Sequence, residues 1–243
     1  MPLEQSEGFI LKTFNVGEQD KIVVLFSKEK GIFKGVAKGA RKFGNRFGSS
    51  LEPLSHVKLF YYEKEGKELV TISSSDLLES FFEIQKDLKT SSTLSYFAEL
   101  IEEFYPARSK DDILFRLLQS VLSSLKARAD LHFTSAYFEA WFLRIGGILP
   151  DFRRCKRCRA QPDEKTWLSS KKDGVLCTNC VSEEKIEVPQ DINLFLTWIK
   201  QNPPPRDPSV PFNPDVVQAI RKVFRSIIVF HMEKEPKSLR FLD

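Results

Sequence analysis

The sequence predicts an α+β protein: a five-stranded β-barrel over residues 1–80, then a helical domain over 81–243 with an inserted four-cysteine zinc module at 151–187. Three observations lead there. The first 80 residues hold short runs rich in Val, Ile and Phe, broken by Gly, Asn and Pro, which is strand and turn chemistry. From Thr90 onward the apolar period changes to helical spacing. All four cysteines lie between positions 155 and 180, as two C-x-x-C pairs.

Five runs read as strands: GFILKTFN, DKIVVLFS, GIFKGVAKG, SHVKLFYY and ELVTISSS. In SHVKLFYY, Val57, Leu59 and Tyr61 fall on one face and Lys58, Phe60 and Tyr62 on the other, as in a sheet with one buried side. A small curled barrel satisfies all five strands, and strand counting fits an oligonucleotide-binding barrel and an SH3-like barrel equally. Leu94, Phe97, Ala98, Ile101 and Phe104 then recur at helical spacing, as do Ile113, Leu114, Leu117, Leu118, Val121, Leu122 and Leu125. A third helix is expected over LHFTSAYFEAWFLRIGG, with Asp130 placed to cap its start and Gly146-Gly147 to stop it. Beyond the cysteines, Asp191 opens a short helix through Trp198 and NPPPRDPSVPFNP forms a loop. Val216, Val217, Ile220, Val223, Phe224, Ile227 and Ile228 mark a final helix.

With 243 residues, 42% of them hydrophobic, the chain can bury a core without needing metal to fold all of it. Phe outnumbers Tyr by 21 to 5, so most Phe belong to cores and a few are left to stack on a partner. The net charge of +4 is too small to identify a polyanionic partner, so its distribution matters more. No apolar run approaches the roughly 18 residues of a spanning helix, and MPLEQSEGF lacks a basic stretch followed by an apolar one. A soluble, cytoplasmic protein without membrane contact is expected.

Cys155-x2-Cys158 and Cys177-x2-Cys180, eighteen residues apart, have the spacing of a structural zinc site. Each pair turns two thiolates toward one cation, and the two pairs complete a tetrahedron with no position open for water. Arg153, Arg154, Lys156, Arg157 and Arg159 are placed either to moderate the thiolate charge or to touch phosphate as secondary contacts.

From Lys30 to Leu51 there are six basic residues, Lys30, Lys34, Lys38, Arg41, Lys42 and Arg46, and no acidic one. The segment KGARKFGNRFGSS interleaves these cations with glycines and with Phe43 and Phe47. Such a loop suits a polyanion carrying stackable bases, bound without sequence preference. In the blander alternative the cations are a solvated hairpin and both rings tuck into the barrel.

No catalytic constellation emerges. His231-Met232-Glu233 is an H-x-E, but it follows the cysteines, whereas a zinc deaminase places it before P-C-x-x-C and leaves a water on the metal. His56 and His132 have no partner at motif spacing, and there is no G-x-x-x-x-G-K-[ST]. A non-enzymatic protein is expected.

The order of these features resembles the RecO family over essentially the whole chain. DKIVVLFSKEKGIFKGVAKGARK and LEPLSHVKLFYY resemble its N-terminal oligonucleotide-binding (OB-fold) barrel. YFEAWFLRIGGILPDFRRC resembles its helix leading into the zinc module, and EPKSLRFLD its Lys-Ser-bearing tail. The resemblance implies a recombinational repair mediator that binds single- and double-stranded DNA, anneals complementary strands, and with RecR helps load RecA onto strands coated by single-strand-binding protein. It implies a bacterial, nucleoid-associated location and a structural Zn2+. It also implies that the helical domain receives the C-terminal tail of single-strand-binding protein, for which Arg221, Lys222 and Arg225 are candidate contacts. A zinc-ribbon and barrel scaffold of a transcription or RNA complex is the alternative.

Overall fold

The computed structural model describes residues 2–161, 165–182 and 186–241. Five strands come first: β1 (Leu3–Val16), β2 (Asp20–Ser27), β3 (Gly31–Ala37), β4 (His56–Tyr62) and β5 (Leu69–Glu79). The helices are α1 (Leu88–Phe104), α2 (Asp112–Lys126), α3 (Leu131–Ile145), α4 (Ile192–Gln201) and α5 (Pro214–Met232). A two-stranded ribbon, β6 (Thr166–Leu168) and β7 (Val175–Cys177), lies between α3 and α4 in the chain, and a 3-10 turn at Lys237–Phe241 ends the described residues. The chain divides into two compact units: residues 1–115 with 236–243, and residues 116–235.

In the first unit the strands close into a barrel of order β1-β2-β3-β5-β4. Strands β1, β2 and β3 form an antiparallel meander, β3 pairs with β5 in parallel, and β4 returns between β5 and β1. This Greek-key closure is the oligonucleotide-binding topology, which separates the two barrel types left open by strand counting. Strand β1 closes the barrel by pairing twice, its residues 3–9 with β4 and its residues from Gly8 onward with β2. That double use explains why it begins at Leu3, ahead of the run GFILKTFN. The predicted alternation of β4 holds, with Val57, Leu59 and Tyr61 buried.

Two glycines mark close approaches. Gly31 has φ +69°, and a Cβ there would sit 2.1 Å from the Ser109 carbonyl oxygen. At Gly35 a Cβ would meet Ile72 and Val70 at 2.8 Å, where β3 and β5 pack inside the barrel. The barrel core joins Ile10, Val23, Leu25, Val57, Leu59 and Ile72 to Ala40, Phe47 and Leu51 from the β3–β4 loop. A second apolar cluster stacks Phe9 on His56 at 4.6 Å with Phe115 at 5.1 Å from Phe9, and the His56 ring nitrogen meets Glu7 at 2.9 Å. His56 is a packing residue.

Helix α1 starts at Leu88 because the Asp87 carboxylate accepts the Thr90 N–H at 2.8 Å. Its Glu99 holds the C-terminal turn: the carboxylate accepts the Lys237 and Ser238 amides, each at 2.9 Å, and the Ser238 hydroxyl at 2.5 Å. The Lys-Ser tail is thus a backbone latch on a carboxylate.

In the second unit α3 is buried nearly all round, as a central helix must be. Asp130 caps it by accepting the Phe133 N–H at 2.7 Å, and Gly147 leaves it at φ +70°. Phe133 packs against Phe195, Trp198 and Phe212, with centroids 5.5, 5.2 and 6.0 Å away. The fully buried Glu139 of α3 is neutralised by α5, accepting from Arg221 at 3.3 Å and Arg225 at 3.2 Å, while Arg221 also reaches His132 at 3.1 Å. Asn213 and Pro214 start α5, the Asn213 side chain accepting the Asp215 amide at 2.8 Å.

Breaking a buried charge cluster by removing one partner costs about 3–5 kcal/mol. Glu139→Ala is therefore expected to destabilise the second unit by roughly that amount, read by urea denaturation with the fluorescence of Trp141, Trp167 and Trp198. A loss well under ~1 kcal/mol would mean that the cluster does not order α3 against α5. For the tail latch, burial raises the Glu99 pKa and the three Ser238 and Lys237 hydrogen bonds lower it, with a net shift below the ordinary 4.5. A depressed pKa gives stability that is complete above about 4.5 and lost as the pH falls through the folded value. The Ser238 amide should be strongly protected from exchange, relative to its intrinsic rate at each pH, at neutral pH and lose that protection in acid, and Glu99→Gln should lower the protection at pH 7.

Candidate metal centre and basic loop

The cysteine module is built on very short strands. Strands β6 and β7 pair antiparallel, with Thr166 opposite Cys177, and Val188 and Leu168 add backbone bonds between the ribbon and residues 186–188. Phe152, Trp167, Leu168, Val175 and Val188 supply its small apolar core. Tight turns shape both knuckles: Arg159 N–H reaches the Cys155 carbonyl at 2.9 Å, and Cys180 N–H reaches the Cys177 carbonyl at 3.0 Å. Arg159 takes φ +64° to complete the first turn.

The four Sγ atoms lie within 4.8 Å of one another, and those of Cys158 and Cys177 are 3.7 Å apart. Thiolates at about 2.3 Å around a tetrahedral zinc stand about 3.8 Å apart, so the cage fits such an ion. Electrostatics agree. Burial raises the Cys155 thiol, but N–H groups of Cys158, Cys177 and Arg157 aimed at the sulfur more than offset this and bring its pKa to about 6. Burial and the neighbouring sulfurs push Cys180 up to about 12 and raise Cys177 as well. One thiolate forms readily and discourages the rest, so full ionisation of the set calls for a bound cation. No histidine joins the cage among the described residues, and His231 is exposed at the end of α5.

The basic residues around the first knuckle are all exposed. Arg153 is paired with Asp151 at 2.9 Å, and Lys156 with Asp173. Arg154, Arg157 and Arg159 make no ion pair among the described residues.

In the barrel, Lys38, Arg41, Lys42 and Arg46 are exposed on the β3–β4 loop, whereas Lys34 lies on β3 and is paired with Glu102 of α1 at 3.4 Å. The loop is held at both sides. Asp20 accepts the Gly39 amide at 2.8 Å, the Arg41 amide reaches the Gln19 carbonyl at 2.9 Å, and the Arg41 guanidinium reaches the Gly17 carbonyl at 3.0 Å. Arg46 donates from Nε to the Ser73 carbonyl at 2.5 Å and stacks over Phe47 at 4.6 Å. Lys38, Lys42 and Arg46 share a groove of about 400 Å³. Phe47 is buried and Phe43 is wholly exposed, so the two rings expected to behave alike have separate roles. Asp20, Gln19 and Gly17 were not legible as loop anchors, since nothing in DKIVVLFS marks its first residue as a partner of Gly39.

A closed oligonucleotide-binding barrel with one basic loop, joined to a helical unit bearing a four-thiolate metal cage, defines a class of barrel-and-helix protein with a structural metal module. Residues 1–81 match the family described as "Recombination protein O N terminal", and residues 85–240 match "Recombination protein O C terminal". The chain belongs to the RecO family, which gives it a role in DNA repair and recombination. It is 32% identical over 241 residues to a DNA repair protein RecO of Koribacter versatilis, covering 99% of this chain and 98% of that one. It is 28% identical over 246 residues to the same-named protein of Dehalococcoides mccartyi, covering 98% and 94%. For Caldicellulosiruptor saccharolyticus the identity is 27% over 241 residues, covering 99% and 98%. No helix among the described residues is long and apolar enough to cross a membrane.

Cobalt(II) added to metal-free protein is expected to give the visible absorption of a tetrahedral thiolate complex, displaced by one equivalent of zinc. Cys177→Ser should weaken both the absorption and the thermal stability of the helical unit, because a closed thiolate site contributes directly to folding. Equal melting temperatures with and without metal would remove the structural role.

Proposed function

We propose that this protein is a non-enzymatic mediator of recombinational repair. Its barrel domain, residues 1–80, binds single- and double-stranded DNA, and the protein anneals complementary strands. The observation that supports this most is the β3–β4 loop, free of acidic residues through Leu51 and folded onto the barrel by its apolar residues, with Lys38, Arg41, Lys42 and Arg46 exposed. These cations hold phosphates and release condensed counterions, which gives affinity without sequence preference. Neutralised phosphates on one strand repel a second strand less, and backbone contacts leave base edges free to pair. Lys34 joins the set once DNA competes with Glu102 for its ammonium group.

The helical domain, 81–243, carries the module 151–187 as an architectural Zn2+ site, and Arg153, Arg154, Lys156 and Arg157 give a secondary phosphate contact. Arg154 and Arg157 are the stronger members because the other two already have carboxylate partners. Family membership supports action with RecR in loading RecA onto strands coated by single-strand-binding protein, in the bacterial cytoplasm at the nucleoid. For the tail of that protein, Lys222 is the exposed candidate on α5, since Arg221 and Arg225 are committed to Glu139.

The purified protein is expected to accelerate annealing of complementary strands coated with single-strand-binding protein, without nucleotide. No acceleration by folded, metal-loaded protein would favour a scaffold of a transcription or RNA complex. Replacing Lys38, Arg41 and Lys42 by Ala should weaken binding equally across sequences and lower the salt slope on single strands by about 2, at roughly 0.7 per phosphate contact. An unchanged slope would move the phosphate contacts elsewhere.

A further inference from the structure

Among the described residues Phe43 is the most exposed large hydrophobic side chain, while Phe47, in the same loop, retains 3% exposure and completes the barrel core. The Phe43 ring does not hang on loose chain. Lys42 N–H reaches the Gly39 carbonyl at 3.0 Å and Asn45 N–H reaches the Lys42 carbonyl at 3.2 Å, closing turns on either side of it. The Asn45 side chain donates to the Lys42 carbonyl at 3.1 Å and accepts the Phe47 amide at 2.9 Å. Gly39 and Gly44 supply the φ of +71° and +66° that these turns need. No ring or cation stacks on Phe43 among the described residues, whereas Arg46 lies over Phe47.

A solvated π face held beside Lys38, Lys42 and Arg46 in one groove matches a ligand that presents both a π face and negative charge. A nucleobase with its phosphate has that chemistry. We propose that Phe43 stacks on an unpaired base of single-stranded DNA and gives the loop its preference for single over double strands. In a duplex each base face is covered by its neighbours, so the ring finds no partner without unstacking a step, while the cations meet phosphate in either form. The inference rests on the DNA-binding reading of the loop and adds to it the residue that senses strandedness.

The test compares wild type, Phe43→Ala, Phe43→Trp and the Lys38, Arg41 and Lys42 triple variant by fluorescence anisotropy at fixed salt. The probes are a single strand, an abasic strand of equal length and a duplex. Phe43→Ala, which touches no core, should keep the wild-type melting temperature and lose roughly 5- to 150-fold on the single strand, the range of one aromatic–base stack. It should change little on the abasic strand or the duplex, and its salt slope should match wild type. Phe43→Trp should restore single-strand affinity, with emission quenched by that strand alone. Equal losses on all three probes would overturn the proposal, since the ring would then only shape the loop. Unchanged single-strand binding by Phe43→Ala, with the triple variant weakened, would also overturn it while the DNA-binding reading survived. If both variants bound as wild type, the loop would not be the DNA site at all.

Discussion

Closure of the barrel by β1 is the constraint from which the rest of the first unit follows. A five-stranded sheet this small has two edges, and exposed edges recruit other strands. A strand of 14 residues that pairs with β2 along one half and β4 along the other removes both. Closure leaves an interior that side chains must fill, and the strands alone do not fill it. Ala40, Phe47 and Leu51 of the β3–β4 loop complete the core, so the loop is drawn onto the barrel by hydrophobic burial. Its cations cannot follow those residues inside and stand in water. The basic surface is therefore a by-product of how the core is finished.

The second unit solves a different problem. Its central helix carries a carboxylate with no access to water, and α5 supplies two guanidinium groups to it. Such a cluster gives little net stability compared with apolar packing, but loss of either side leaves an uncompensated buried charge between α3 and α5. The cysteine module has strands of three residues and only a few buried apolar side chains, too few to fold by burial alone. Four thiols within 4.8 Å of one another, with pKa values driven apart, form a site whose folding a bound divalent cation would stabilise.

Much of this was legible in the sequence, for identifiable reasons. The period of 2 in SHVKLFYY and of 3.6 in the α1 and α2 segments survives because burial of one face enforces it. The doubled C-x-x-C survives because a knuckle has one workable spacing. What could not be read depends on partners far along the chain. Residues Leu3–Glu7 are strand because β4 lies beside them, and Glu99 meets Ser238 across 139 positions. Phe43 and Phe47 look interchangeable, each flanked by a glycine and near a cation, yet one is core and the other solvent. TWL and VLC are too short for any periodicity to show.

The same long-range pairing decides what the overall charge of +4 conceals. Some cations elsewhere in the first unit are matched by carboxylates: Lys30 sits between Glu4 at 2.5 Å and Glu63 at 2.8 Å, and Arg108 also binds Glu63. These hydrogen bonds raise the Lys30 pKa and lower that of Glu63, so the pair stays charged and its fields cancel at a distance. Lys34 is paired in the same way with Glu102. At the β3–β4 loop the Asp20 carboxylate goes instead to a backbone amide, which fixes the loop's position while leaving Lys38 and Lys42 without an ion pair among the described residues. Four exposed cations gathered on one loop, none of them in an ion pair among the described residues, steer a polyanion there better than the same charge spread evenly.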